Sequence, residues 1–195
     1  VTEALTAERI LEAAEDTLRR FGPGKTTVVD VARALGVSHG SVYRHFPNKA
    51  ALRDAVAARW LDRINEPLRP LTTEDAPATE RLRNWLELLS TTKRRMARED
   101  PELFATYHAL ATESREVVGA HLETLAGMIA RIVSDGVARG EFEVDDPHRA
   151  AKAVLSATAR FHNPAHASEW DDPELDADFE EVWALLLRGL ASGRR

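Results

Sequence analysis

The sequence predicts an all-α protein of about nine helices. Three observations carry that reading. Apolar residues recur at three- and four-residue spacing along most of the chain. Alternating runs of β-branched residues do not occur at useful length. The nine prolines and ten glycines fall mostly at the ends of apolar periods rather than inside them.

The elements follow in order. Ile10, Leu11, Ala14, Leu18 and Phe21 form a first stripe, with Thr6 as N-cap, Glu8 in the first turn and Gly22-Pro23-Gly24 as the stop. Val28 to Leu35 is a short helix opened by Thr27, with Asp30 three residues on as in a capping box, and closed by Gly36. Ser38 caps a second short helix from His39 to about His45, which Pro47 ends. Asn48 caps a longer one with Leu52, Val56, Trp60 and Ile64 on its apolar face. Residues 65–78 hold three prolines and read as a connecting loop. Further helices are expected over Thr79 to about Arg98, Pro101 to Ala111, Ser114 to Arg139, Asp146 to about Trp170 with a kink at Pro164, and Pro173 to Gly189.

Composition excludes several classes. A 44% hydrophobic chain of 195 residues has ordinary globular make-up, which argues against disorder. With no cysteine there is no disulfide scaffold, no thiol nucleophile and no cysteine-based zinc site. The longest apolar run, Val182 to Leu187, stops at Arg188, far short of a membrane span. The segment from Val1 to Ile10 lacks the pattern of a signal peptide, so a cytoplasmic location is expected. No membrane partner, cofactor or metal is expected.

The two short helices carry the functional signal, because neither is long enough to be stable alone. With Val28 as position one, Ala32 stands fifth, Gly36 ninth and Val42 fifteenth. A helix-turn-helix needs a small residue at the close crossing, a glycine for the left-handed turn and an apolar residue to seat the second helix. Val31, Leu35 and Val37 suit the remaining core places. The second helix then presents His39, Gly40, Ser41, Tyr43 and Arg44, where a recognition helix meets the major groove.

The stretch Ile10 to Leu52 resembles the DNA-binding domain of TetR-family transcriptional regulators. The carrying residues are Ile10-Leu11, Ala13-Ala14, Phe21-Gly22, Thr26-Thr27, Val31-Ala32, Leu35-Gly36-Val37-Ser38 and the run from Val42-Tyr43-Arg44-His45-Phe46 through Lys49 to Leu52. The resemblance implies a helix-turn-helix domain over 1–48, a bridging helix over 49–64, and a ligand-binding and dimerisation domain over 65–195. It implies a homodimer that binds a palindromic double-stranded DNA operator and releases it on binding a small-molecule effector, most simply as a repressor and not as an enzyme.

Physical roles can be assigned beside the resemblance. Lys49 starts a helix and suits a phosphate, and Tyr43 and Thr27 offer hydroxyls for the same purpose. Ser38 reads first as a cap. Arg44 suits a guanine edge or a phosphate, and His39 and Ser41 are further base-contact candidates. Gly40 allows close approach. His45 and Phe46 read as structural. The net charge of −6 taken alone opposes nucleic acid, but residues 33–63 carry six basic and two acidic side chains for a local +4.

In the C-terminal part, Trp85, Leu89, Phe104, Tyr107, His108, His121, Leu125, Phe161 and His162 are effector-pocket candidates, each with ordinary core as the alternative. Ala153, Val154, Ala157, Phe179, Val182, Trp183, Leu186 and Leu190 are expected at the dimer contact, with burial against their own chain as the alternative. Lys93-Arg94-Arg95 with Arg98 reads as a solvated basic face, or as a seat for an acidic ligand. Two other functions remain: a metal enzyme using His108, His121, His162 or His166, and a DNA-binding protein whose C-terminal part docks a protein.

Overall fold

The computed structural model describes residues 4–22 and 27–191. Val1, Pro23, Gly24 and Thr26, which figure in the sequence reading, lie outside the described residues. Ten α-helices occur among the described residues: α1 Ala7–Phe21, α2 Val28–Leu35, α3 His39–Tyr43, α4 Lys49–Asn65, α5 Ala78–Glu99, α6 Pro101–Glu113, α7 Arg115–Ala138, α8 Pro147–Ala157, α9 Ala159–His162 and α10 Leu175–Leu190. In place of a plain loop, residues 66–72 form two 3₁₀ turns, and Leu68 within them is fully buried. The chain divides into two compact units, residues 1–62 with 100–119, and residues 63–99 with 120–195. The segment holding α6, expected with the C-terminal part, thus belongs to the first unit.

The first unit is assembled from local rules. Thr6 accepts from Arg9 N to cap α1. Ile10, Ala14 and Leu18 are buried, whereas Phe21, at the end of the expected stripe, is exposed. Thr27 and Asp30 form a complete capping box on α2. Gly36 takes φ 65°, and its N–H closes α2 onto Ala32 and Arg33. A side chain at that left-handed position would be strained, which is why the turn takes glycine. Val28, Val31, Ala32 and Val42 make the centre of the motif, and Phe46 closes it. Leu35 and Val37 are only half-buried. From α4, Arg59 reaches Glu8 at 2.8 Å and Glu15 at 3.5 Å, tying α4 to α1. On its other side Trp60 stacks on Tyr107 at 4.9 Å and meets Phe104 edge-on at 6.1 Å. Arg53 pairs with Glu113, and Ser114 donates to Asp54, so α4 is held along its length by the α6 segment.

In the second unit α5 and α7 run antiparallel in a register that two contacts fix. A Cβ built on Gly136 would stand 2.8 Å from Ala78 Cβ. Buried Arg81 pairs with Asp135 and donates to Thr72 O at 3.2 Å. Lys93 and His121 are near enough to repel. Trp85, Leu89, Leu125 and Ile129 on these two helices are all fully buried. Among the described helices α7 alone is long and apolar enough to cross a bilayer, but Leu125, Ile129, Ile132 and Val133 are buried, as in a core helix. Glu141 caps α5 from a distance, accepting from Ala78 N and Thr79 N at 3.0 Å each. Burial alone would raise the Glu141 pKa; the bonds from these N–H groups outweigh it and hold the carboxyl below its usual range.

The expected helix from Asp146 to Trp170 breaks earlier than its proline. α8 ends at Ala157, where buried Thr158 turns its hydroxyl back to Val154 O at 2.9 Å. α9 is a single turn, and residues 164–169 continue as 3₁₀ helix. Arg160 gathers this segment against α10 through Glu169 at 2.9 Å, Asp172 at 3.2 Å and Asp178. Among the described residues the sole β feature is the bridge between Phe142 and Ala191.

The close approach at Gly136 gives a direct test of the α5–α7 register. A Cβ there would lie 2.3 Å from the Phe142 ring as well as against Ala78. Gly136→Ala should cost about 1–3 kcal/mol by overpacking, read as a lower urea midpoint. An unchanged midpoint would contradict the register.

Candidate nucleic-acid interface and buried basic cluster

Around α3 the structure separates the seat of the motif from its outer face. Val42 and Phe46 point inward and are buried; His39, Gly40, Tyr43, Arg44 and Lys49 are exposed and Ser41 is half-buried. Ser38 is a cap, its Oγ accepting from Ser41 N at 3.2 Å. The Ser38 and Ser41 hydroxyls are bonded at 2.9 Å, and Arg44 Nη2 donates to Ser41 Oγ at 3.4 Å. This hydroxyl pair holds the Arg44 guanidinium beside the outer face of α3. Lys49 is the first residue of α4, and Asn48 Oδ1 accepts from Ala51 N at 2.8 Å. The first N–H groups of that helix have no intrahelical acceptor, which favours an anion beside Lys49.

Two expectations change. Thr27 donates its N–H to Asp30 Oδ2 at 3.2 Å and its hydroxyl to the same oxygen at 2.6 Å. Both donors offered for a phosphate are thus committed to the capping box. These bonds, the hydroxyl's first, hold the Asp30 carboxyl below its usual range. His45, expected to pack beside Phe46, is exposed.

The effector-pocket candidates divide between the units. Phe104, Tyr107 and His108 belong to the first, where Phe104 and Tyr107 hold Trp60. Trp85, Leu89, His121, Leu125, Phe161 and His162 belong to the second and are all buried. The same unit buries a residue that sequence reasoning placed on a solvated face. Lys93 is only 6% exposed, while its neighbour Arg95 is exposed. The missed signal was spacing: Trp85, Leu89 and Lys93 recur every four residues on one face.

The cluster is basic throughout. Ser90, one turn before Lys93, donates to Phe161 O at 2.8 Å, which brings α5 to the residue preceding His162. His162 Nε2 lies 3.2 Å from Thr158 Oγ1. The Thr158 hydroxyl also donates to Val154 O at 2.9 Å. Both ring nitrogens of His121 and the indole nitrogen of Trp85 are buried without a hydrogen-bond partner. Among the described residues no carboxylate pairs with Lys93. Burial pushes the Lys93 ammonium down to about 8. Burial, then repulsion from Lys93, pushes His121 to about 3 and His162 to about 4. At neutral pH the group is one ammonium and two neutral imidazoles. Among the described residues no group of three His, Asp or Glu could hold a metal; His166 instead bonds Glu169 at 2.7 Å. Near the cluster a cleft of about 180 Å³ is lined by Ser90, Phe161, Phe179, Arg94 and the acidic Glu87, Asp176 and Glu180.

Of the expected dimer residues, Val154, Phe179, Trp183 and Leu190 are buried within the chain itself. Ala153 and Ala157 are exposed, and Val182 and Leu186 are half-buried. Leu185, not among those expected, is 63% exposed.

Fold and site together define a helix-turn-helix transcriptional regulator. Family models match in two stretches: bacterial regulatory proteins of the tetR family over residues 10–56, and the tetracyclin repressor-like C-terminal domain over 78–183. The chain belongs to the TetR family. It is 30% identical over 180 residues to an uncharacterised HTH-type transcriptional regulator of Mycobacterium tuberculosis, covering 90% of this chain and 83% of that one. It is 26% identical over 194 residues to the transcriptional repressor KstR2 of Rhodococcus jostii, covering 94% and 90%. Among solved structures it is similar to SmeT, repressor of the Stenotrophomonas maltophilia efflux pump SmeDEF, with TM-score 0.67, 20% identity and coverage of 97% and 92%. SmeT is also known in complex with triclosan.

The unpaired Lys93 predicts an unusual stability change. With its pKa lowered from 10.5 to about 8, the folded state carries an ammonium that costs on the order of 3 kcal/mol at pH 7. That cost is fully present below the folded pKa and vanishes as pH rises past 10.5. Lys93→Met should therefore stabilise the protein in urea titrations at pH 7, by a margin that shrinks as pH rises from 8 to 10.5. A variant less stable at pH 7 would contradict the burial of an unpaired charge.

Proposed function

We propose that the chain is a homodimeric, effector-responsive repressor of the cytoplasm, and not an enzyme. Residues 1–48 form the DNA-binding domain, 49–64 the bridging helix and 65–195 the effector-binding and dimerisation domain. The observation that carries the reading is the exposed line of His39, Gly40, Tyr43, Arg44 and Lys49 around buried Val42. Arg44, steadied by Ser41, reads a base edge, with His39 and Ser41 beside it and Gly40 admitting the groove wall. Tyr43 and Lys49 hold phosphates. Ser38 and Thr27 serve by capping, which fixes the angle at which α3 is presented. A two-fold dimer sets two such helices one helical turn apart, roughly 34–36 Å, on a palindromic operator.

The outer faces of α8 and α10 support the dimer. Ala153 and Ala157 permit close helix approach, and Val182, Leu185 and Leu186 supply apolar area that their own chain leaves uncovered. The small-molecule effector has support from the basic cluster in the second unit and from the triclosan complex of SmeT. α4 and α7 each run through both units, so an effector that widens or tightens one unit bears on helices shared with the other.

Two measurements follow. In fluorescence anisotropy with the intergenic DNA upstream of its own gene, Arg44→Ala should weaken specific binding roughly 10- to 100-fold, and Tyr43→Phe by less. Binding unchanged by Arg44→Ala, or insensitive to salt, would contradict the interface. In light scattering the wild-type chain should run as a dimer at micromolar concentration and Leu185→Glu should shift it to monomer; a wild-type monomer sinks the proposed two-fold contact.

A further inference from the structure

Lys93, His121 and His162 are buried together in the second unit, His121 with neither ring nitrogen bonded and Lys93 without a carboxylate among the described residues. Lys93 follows Trp85 and Leu89 on one buried face of α5 and is near enough to His121 on α7 to repel it. His162 joins them through the Ser90–Phe161 bond. Each of these side chains is more than nine-tenths buried. An ammonium in that setting wants a carboxylate. The same α5 shows what a completed pair looks like, since Arg81 at its other end has Asp135. At Lys93 the chain supplies none among the described residues. His121 adds a ring nitrogen able to donate, and nothing in the protein accepts from it. A cleft of about 180 Å³ opens beside Ser90, Arg94 and Phe161, the neighbours in sequence of Lys93 and His162.

We propose that Lys93, His121 and His162 seat the carboxylate of an aliphatic acid whose hydrocarbon part packs among the apolar residues of the second unit. The ammonium supplies the charge and His121 a neutral hydrogen bond. His162 is held in place by Thr158 and completes the wall. A neutral ligand leaves Lys93 unpaired, and a cationic one meets repulsion, so the cluster selects for charge as well as shape. This inference rests on the reading of residues 65–195 as the effector domain.

The test is calorimetry of the full wild-type chain at pH 7 with straight-chain carboxylates from hexanoate to hexadecanoate, each matched by the alcohol of equal length. At least one carboxylate should bind tenfold or more tighter than its alcohol. Lys93→Met should lose that preference, and Lys93→Arg should restore part of it. His121→Phe gives a second variant that keeps the ammonium and should weaken carboxylate binding while leaving alcohol binding unchanged. No carboxylate binding, equal binding of acid and alcohol, or a preference that survives Lys93→Met overturns the proposal. The same ligands added to the DNA complex separate the two readings. Carboxylate binding without any change in DNA affinity supports the site and defeats the effector reading. DNA release by the alcohols as readily as by the acids does the reverse.

Discussion

Two cationic side chains are buried on one face of α5, twelve residues apart, and they are treated differently. Arg81 is matched by Asp135 and by the Thr72 carbonyl, and with the close approach at Gly136 it fixes how α5 lies on α7. At the same end of α5, Glu141 reaches over to cap the helix. Lys93 is carried to the far end of the same layer and left without a counter-charge. A chain selected for stability alone would place Met or Leu there. The retained ammonium is the sign of a site whose missing component comes from outside the protein.

The first unit is organised by the same economy at smaller scale. Its helices are too short to stand alone, so caps and one clamp hold them. Thr27–Asp30 and Ser38–Ser41 fix the starts of α2 and α3, and Arg59 on α4 reaches the acidic face of α1. Trp60, between Phe104 and Tyr107, then ties α4 to α6. The recognition surface is therefore presented by capped helices, not by a loop.

The helix-turn-helix was legible because each of its requirements is local. Ala32 at the crossing, Gly36 at the turn, Ser38 at the cap and Val42 at the seat are steric demands that a single chain position answers. The family resemblance added specificity to the same residues. What was not legible depends on tertiary context. The Lys93-Arg94-Arg95 run is charged whichever way it faces, and only the α5–α7 register turns its first member inward. The break at Thr158 precedes the proline that was expected to cause it, at a residue that the apolar spacing does not mark. Thr27 has a hydroxyl in the right place for a phosphate, but Asp30, three residues on, takes it. Burial of Val154, Phe179, Trp183 and Leu190 within the chain likewise depends on how α8 and α10 settle, which apolar spacing alone leaves open.

The central claim is that exposed residues around Val42 read DNA as a two-fold pair. Hydroxyl-radical footprinting on the intergenic DNA upstream of the gene tests it most directly. The account predicts two protected patches related by a palindrome and centred about one helical turn apart, or a whole multiple of it, both lost together in Arg44→Ala. A single patch without symmetry, or protection that persists in that variant, would contradict it.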